Sequence, residues 1–186
     1  MMRNLSWQAT RMFVAMACVG LMGAAAHAEV KVTVTKMHIC CKGCTVAIQK
    51  SVAKMPEVTI TVDQEKQTAV VTAEKPESVQ KALDAIAKAG FHGAVDNKEI
   101  KFKEEKAPEG KVQRLEVFSV HNCCPACTKA IKGALAKVEG VKGNSCENKK
   151  ETFVVEGDFV AKDVIAALNK AGFNASLTKP KPEPNA

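Results

Sequence analysis

The seven residues 38–44 read HICCKGC, and the seven residues 121–127 read HNCCPAC. A second block, AGF at 89–91, returns as AGF at 171–173, one residue out of register with the first repeat. Chance does not readily reproduce separate blocks in the same order. Self-similarity at a fixed offset therefore predicts two copies of one module.

Each motif stands between a predicted strand and a predicted helix. Valines alternate with polar residues at 30–34, as in a half-buried strand, and Ile48, Val52 and Met55 are spaced to share one helix face. Two strands, a second helix ended by Gly90 and a short last strand complete the module. The order is the split βαβ pattern. We predict an α+β fold of two tandem ferredoxin-like βαββαβ sandwiches, each with two helices on one face of a four-stranded antiparallel sheet.

The first 28 residues have the features of an export signal. Arg3 and Arg11 precede an apolar stretch at 12–26, and AHA at 26–28 supplies the small residues of a cleavage site. We therefore predict a signal peptide at 1–28 and an exported protein, periplasmic or secreted. Seven of the eight cysteines remain in the exported chain, which has neither Trp nor Tyr.

The rest of the chain divides around the two motifs. The predicted parts are a first domain at 29–99, a charged linker at 100–110, a second domain at 111–178 and a disordered tail at 179–186. An extra edge strand is predicted through Ile100 and Phe102. Cys146 has no counterpart in the first module and is expected to be a free surface thiol.

A Cys-x-x-Cys pair at a strand-to-helix junction brings two sulfurs close together. The helix amides and dipole favour the thiolate form there. Thiolates are the ligands that soft ions such as Cu(I) and Zn(II) prefer, and structural zinc usually needs four of them. A lone module offers no obvious set of four. The pattern therefore indicates a transferable soft-metal site in each module, with Cys41 and Cys44 as candidate ligands in the first and Cys124 and Cys127 in the second.

Each module resembles the heavy-metal-associated domain of copper chaperones, mercury-binding periplasmic proteins and the N-terminal arms of metal-pumping ATPases. The resemblance rests on the two Cys-x-x-Cys pairs after strand one, the element order, and Gly-Phe after each second helix at 90–91 and 172–173. It implies that the four cysteines bind the metal and that Phe91 and Phe173 border the site. It also implies a carrier, chaperone or buffer without enzymatic activity. Copper(I) is the expected ion, with zinc, mercury and cadmium as the other choices, and the expected partner is a metal-transporting membrane protein.

The positions before each pair depart from the family's usual Gly-Met-x-Cys-x-x-Cys. They hold His38, Ile39 and Cys40 in the first module and His121, Asn122 and Cys123 in the second. A buried amide at Asn122 would need hydrogen-bond partners, because burying a bare amide is costly. The additional thiols and imidazoles are further candidate ligands: Cys40, Cys123, His38 and His121.

The cysteine motifs also allow two other functions. A Cys-x-x-Cys at a helix start is also the signature of a thiol–disulfide oxidoreductase, and exported cysteine pairs commonly serve as structural disulfides. Nucleic acid is not an expected partner, since the basic residues form no stripe with interleaved aromatics. No apolar run in the exported chain is long enough to span a membrane.

Overall fold

The computed structural model describes residues 29–180, so the predicted signal peptide and residues 181–186 of the predicted tail lie outside the described residues. The first module forms all six predicted elements. They are β1 (Val30–Thr35), α1 (Lys42–Ser51), β2 (Val58–Asp63), β3 (Thr68–Ala73), α2 (Pro76–Lys88) and β4 (Ala94–Val95). The sheet is antiparallel in the order β2-β3-β1-β4. This is the predicted βαββαβ fold.

The second module repeats the pattern with a shorter final strand. Its elements are β5 (Lys111–Val117), α3 (Pro125–Leu135), β6 (Val141–Asn144), β7 (Phe153–Val160) and α4 (Ala161–Lys170), with strand order β5-β7-β6. The fourth strand is reduced to one antiparallel bridge between Phe118 and Ser176, with N–H···O distances of 2.8 and 3.0 Å. Both modules are therefore α+β sandwiches, and they differ at this edge of the sheet.

Apolar residues alternate along the strands and recur at helical spacing along the helices, so the core lies between each sheet and its helices. Val32 and Val34 of β1 are fully buried, as are Val79, Leu83 and Ile86 on one face of α2. Burying such a side chain stabilises the fold by about 1.5–3 kcal/mol. None of the helices within residues 29–180 combines the length and apolar character needed to cross a bilayer.

The segment after β4 corrects one prediction. Ile100 and Phe102 are buried, each 6% exposed, but they belong to no strand. The side chain of Asn97 accepts hydrogen bonds from the backbone N–H groups of Glu99 (2.8 Å) and Ile100 (2.9 Å). This turn occupies an N–H group that an edge strand would use, so the two apolar side chains pack from an irregular segment.

The two modules contact each other through the loops that follow α2 and α4, with approximate two-fold symmetry. Phe91 and Phe173 form an antiparallel bridge across this interface. The backbone N–H groups of His121 (3.3 Å) and Asn174 (3.0 Å) donate to the Gly90 carbonyl, and those of His38 (3.3 Å) and His92 (3.1 Å) donate to the Gly172 carbonyl. The interface therefore lies directly beside both cysteine motifs.

Candidate metal centre

Each Cys-x-x-Cys pair lies at the N-terminus of a helix. Cys41 is the N-cap residue of α1 and Cys124 that of α3, and neither helix has a side-chain cap. The second cysteine of each pair, Cys44 or Cys127, lies in the first turn and is fully buried. Unpaired N–H groups and the positive end of the helix dipole both stabilise a nearby thiolate. Each module therefore presents two sulfurs where anionic sulfur is favoured.

The sulfurs of the two modules meet in one cluster, which comprises Cys40, Cys41, Cys44, Cys123, Cys124 and Cys127. Across the interface, the Cys40 Sγ lies 3.5 Å from those of Cys124 and Cys127. The Cys123 Sγ lies 3.7 Å from that of Cys41 and 3.8 Å from that of Cys44. All seven cysteines of residues 29–180 are free thiols, since a disulfide would need a separation of about 2.05 Å. The structure thus joins the two predicted sites into one six-sulfur cluster.

Both predicted histidines lie beside the sulfur cluster. His38 stacks on Phe173 and His121 stacks on Phe91, with ring centroids 4.4 and 4.2 Å apart. The Nε2 atoms of both imidazoles are buried without a hydrogen-bond partner. A ring nitrogen of His121 lies within 4.8 Å of three cluster sulfurs, and one of His38 within the same distance of two. Phe91 and Phe173, predicted to border the site, hold each histidine in place from the opposite module.

The crowded thiols do not ionise alike. The pKa of Cys44 is lowered to about 2, chiefly by the neighbouring Cys127 thiol, whose sulfur lies within 4.8 Å, with His121 adding to the effect. The same pairing raises the pKa of Cys127, while burial first of all raises the pKa of Cys123 to about 12 and that of Cys40 further. One buried thiolate thus keeps its neighbours protonated. A soft cation that binds several of these sulfurs must displace protons from them.

Cys124 is expected to be alkylated faster than Cys146. The pKa of Cys124 is lowered to about 7, first by the nearby backbone N–H group of Cys127, whereas burial raises the pKa of Cys146, which is 1% exposed. Because the thiolate is the nucleophile, modification of Cys124 by iodoacetamide should rise with pH through about 7. Peptide mapping by mass spectrometry after a short pulse measures both rates. Equal rates in the folded protein would contradict the expectation, and a denatured sample is the control.

Asn122 and Cys146 lie together beneath the second motif. The Asn122 side-chain amide donates to the carbonyls of Glu147 (2.7 Å) and Lys150 (3.1 Å), and its oxygen accepts a hydrogen bond from the Thr128 hydroxyl (2.8 Å). The buried amide therefore has the partners that the sequence required. The prediction of a surface thiol at Cys146 was wrong, since this side chain is buried 3.6 Å from the Asn122 amide nitrogen. Sequence reasoning missed the 147–150 loop because hydrogen bonds to backbone carbonyls leave no residue signature. It also missed Thr128, whose hydroxyl reaches Asn122 only once α3 has formed.

The donor set determines which ions this centre could hold. Within residues 29–180, each close group of potential ligands consists of cysteine and histidine alone, without a carboxylate. Thiolate and imidazole select soft and borderline ions such as Cu(I), Zn(II) and Hg(II) over Mg²⁺ or Ca²⁺. The orphaned imidazole nitrogens are consistent with this choice, because they lack any other partner in the fold. The residues present therefore fit a soft metal ion.

Fold and site together define a tandem α+β protein with a thiol-rich centre at its strand-to-helix junctions. The chain belongs to the heavy-metal-associated domain family, whose sequence model matches residues 31–92 and 117–174. This membership supports heavy-metal binding as the function. Both matches include the Cys-x-x-Cys pair and the Gly-Phe loop of their module.

Several solved structures are similar to this chain. The N-terminal soluble domains of Bacillus subtilis CopA are 22% identical, with 79% of this chain and 92% of that chain covered and a TM-score of 0.31. The water-soluble region of the P-type ATPase CopA from the same organism is 20% identical, with 79% and 89% covered and a TM-score of 0.28. The first two RRM domains of yeast poly(U)-binding protein Pub1 are 11% identical, with 79% and 96% covered and a TM-score of 0.23. No curated protein matches the chain.

Proposed function

We propose that this protein is an exported carrier, chaperone or buffer for soft metal ions, with Cu(I) as its principal cargo. The observation that carries the proposal is the convergence of six free thiols from both modules, two of them N-cap residues of helices. The proposed ligands are Cys41, Cys44, Cys124 and Cys127, with Cys40, Cys123, His38 and His121 beside them. Family membership supports metal binding, and the thiol-rich donor set supports a soft ion.

Transfer of the ion would proceed by exchange of thiolates. Cys41 and Cys124 are half-buried at the rim of the cluster, whereas Cys44 and Cys127 are fully buried within it. An incoming thiolate from a partner can therefore approach the rim sulfurs first, and the ion passes through an intermediate that both proteins ligate. A metal-transporting membrane protein is the proposed partner, and the export pattern at 1–28 supports a location outside the cytoplasm.

Metal retention tests this proposal directly. Protein purified after export is dialysed against Cu(I) without oxygen and with a thiol-free reductant, and metal and protein are then quantified. We expect Cu(I) to be retained and to produce sulfur-to-copper absorption in the near ultraviolet, a region left clear by the absence of Trp and Tyr in residues 29–186. A variant with alanine at Cys41, Cys44, Cys124 and Cys127 should lose both signals, and Cys146→Ala should keep them.

Two outcomes would contradict the proposal. Failure of the unsubstituted protein to retain Cu(I), Zn(II), Hg(II) or Cd(II) would exclude a soft-metal carrier. Rapid reduction of insulin disulfides that is lost in Cys124→Ser would instead indicate the oxidoreductase, whose attacking thiol would be the one with its pKa near 7.

A further inference from the structure

The sulfur contacts form two triangles, and each triangle takes sulfurs from both modules. Cys124 and Cys127 lie 3.7 Å apart, and the Cys40 sulfur of the other module lies 3.5 Å from both. The second triangle is related to the first by the approximate two-fold symmetry. The sulfurs of Cys41 and Cys44 lie 3.8 Å apart, and the Cys123 sulfur of the other module lies 3.7 Å from Cys41 and 3.8 Å from Cys44.

Within one module, sulfur–sulfur hydrogen bonds join only two of the three pairs of sulfurs among the described residues. Cys40 contacts Cys44 at 3.7 Å, but among residues 29–180 no sulfur–sulfur hydrogen bond joins Cys40 to its neighbour Cys41. The second module is the same, since Cys123 contacts Cys127 at 3.8 Å without such a bond to Cys124. The sulfurs of Cys40 and Cys41 still lie within 4.8 Å of each other. The first cysteine of each motif therefore makes sulfur–sulfur hydrogen bonds with both cysteines of the opposite module's Cys-x-x-Cys pair, and with only one cysteine of its own pair.

The size of each triangle suits a metal ion. The centre of a triangle with edges of 3.5–3.8 Å lies about 2.1 Å from each sulfur, close to the Zn–S bond length of about 2.3 Å. Small outward shifts of the thiols would accommodate a soft ion in the plane of three sulfurs. The six thiols are thus arranged in two groups of a size that suits such an ion.

We propose that the protein holds soft ions in two three-sulfur sites that both modules build together, an inference that rests on the proposed function. One site consists of Cys124, Cys127 and Cys40, and the other of Cys41, Cys44 and Cys123. Each ion bound in this way links the modules, so metal binding stabilises their docked arrangement and separation of the modules weakens both sites. Release to a partner is therefore coupled to opening of the interface at Gly90 and Gly172.

Two triple variants, each retaining three of the six cluster cysteines, test which thiols act together. Both retain the pair Cys41 and Cys44, and they differ only in the origin of the third sulfur. The cross-module variant, Cys40→Ser/Cys124→Ser/Cys127→Ser, keeps Cys123. The same-module variant, Cys123→Ser/Cys124→Ser/Cys127→Ser, keeps Cys40. Each receives one equivalent of Cu(I) without oxygen, and X-ray absorption then counts the sulfurs bound to copper.

The cross-module variant should show three sulfurs per copper and the same-module variant two. The affinity for Cu(I), measured against the chelator bathocuproine disulfonate, should be about 10–100-fold higher in the cross-module variant, or more. Removing a residue that only hydrogen-bonds to a metal ligand already lowers metal affinity by about 10–100-fold, and the same-module variant lacks a direct ligand. Circular dichroism of the metal-free variants checks their folding. The mirror pair, retaining Cys124 and Cys127 with either Cys40 or Cys123, repeats the test should one variant misfold.

Three sulfurs in the same-module variant, equal affinities, or failure of the cross-module variant to bind would overturn the shared sites. Any of these results alongside Cu(I) retention by the unsubstituted protein would leave the proposed carrier function intact. Absence of soft-metal binding by the unsubstituted protein would remove both proposals together.

Discussion

Alanine at both Gly90 and Gly172 is expected to separate the two modules. Both glycines have φ of +87°, and a Cβ added to Gly90 would lie 2.1 Å from the backbone N of His121. A Cβ at Gly172 would lie 2.2 Å from the backbone N of His38. These neighbours are backbone atoms of the opposite module, so relief requires the interface hydrogen bonds to break. The left-handed conformation adds a cost of about 1–2 kcal/mol per alanine.

Small-angle X-ray scattering measures this separation as an increase in the radius of gyration. Far-ultraviolet circular dichroism should show that helices and strands persist, because each module has its own buried core. Gly133→Ala in α3 is the control, since nothing lies within 4 Å of its added Cβ. In a helix this change is expected to stabilise by about 0.5–1 kcal/mol. An unchanged scattering profile for the double variant would show that these glycines do not hold the modules together.

Asn122→Ile is the second change with a large expected effect. It restores the residue type of the first module but removes the donor to the Glu147 and Lys150 carbonyls and the acceptor for Thr128. Each buried polar group left without a partner costs about 1–3 kcal/mol. Asn122 is only 2% exposed, so water does not reach this position to replace the hydrogen bonds that the amide made. We expect a loss of several kcal/mol in the free energy of unfolding, of which the Thr128 hydroxyl accounts for the smallest share because it can rotate.

Denaturant unfolding followed by circular dichroism measures this loss. Asn148→Ala is the matched control, since Asn148 is exposed in the loop that supplies the two carbonyls. A surface substitution of this kind changes stability by less than about 0.5 kcal/mol. Equal stability of Asn122→Ile and the unsubstituted protein would show that the amide network is not what holds the 147–150 loop in place.

Much of the fold could be predicted because its signals are local. Alternating valines specify β1, the spacing of apolar residues specifies the buried helix faces, and a left-handed glycine ends α2 at Gly90. Predictions failed where non-local packing decided the outcome. Ile100 and Phe102 are buried without forming a strand, and Cys146, expected to be a surface thiol, is buried beside Asn122.

By itself, the sequence determined that the chain contains two related modules, that each places a Cys-x-x-Cys pair at a helix start, and that those thiols are candidate ligands for a soft metal ion. Only the tertiary structure decided that the two sets of thiols form one cluster. That arrangement depends on how the modules dock, through carbonyls of Gly90 and Gly172 and the stacked rings around them. Local sequence specifies dihedral angles and apolar faces, but contacts such as Cys40–Cys124 join residues 84 positions apart. Their geometry exists only once both modules have folded and packed against each other.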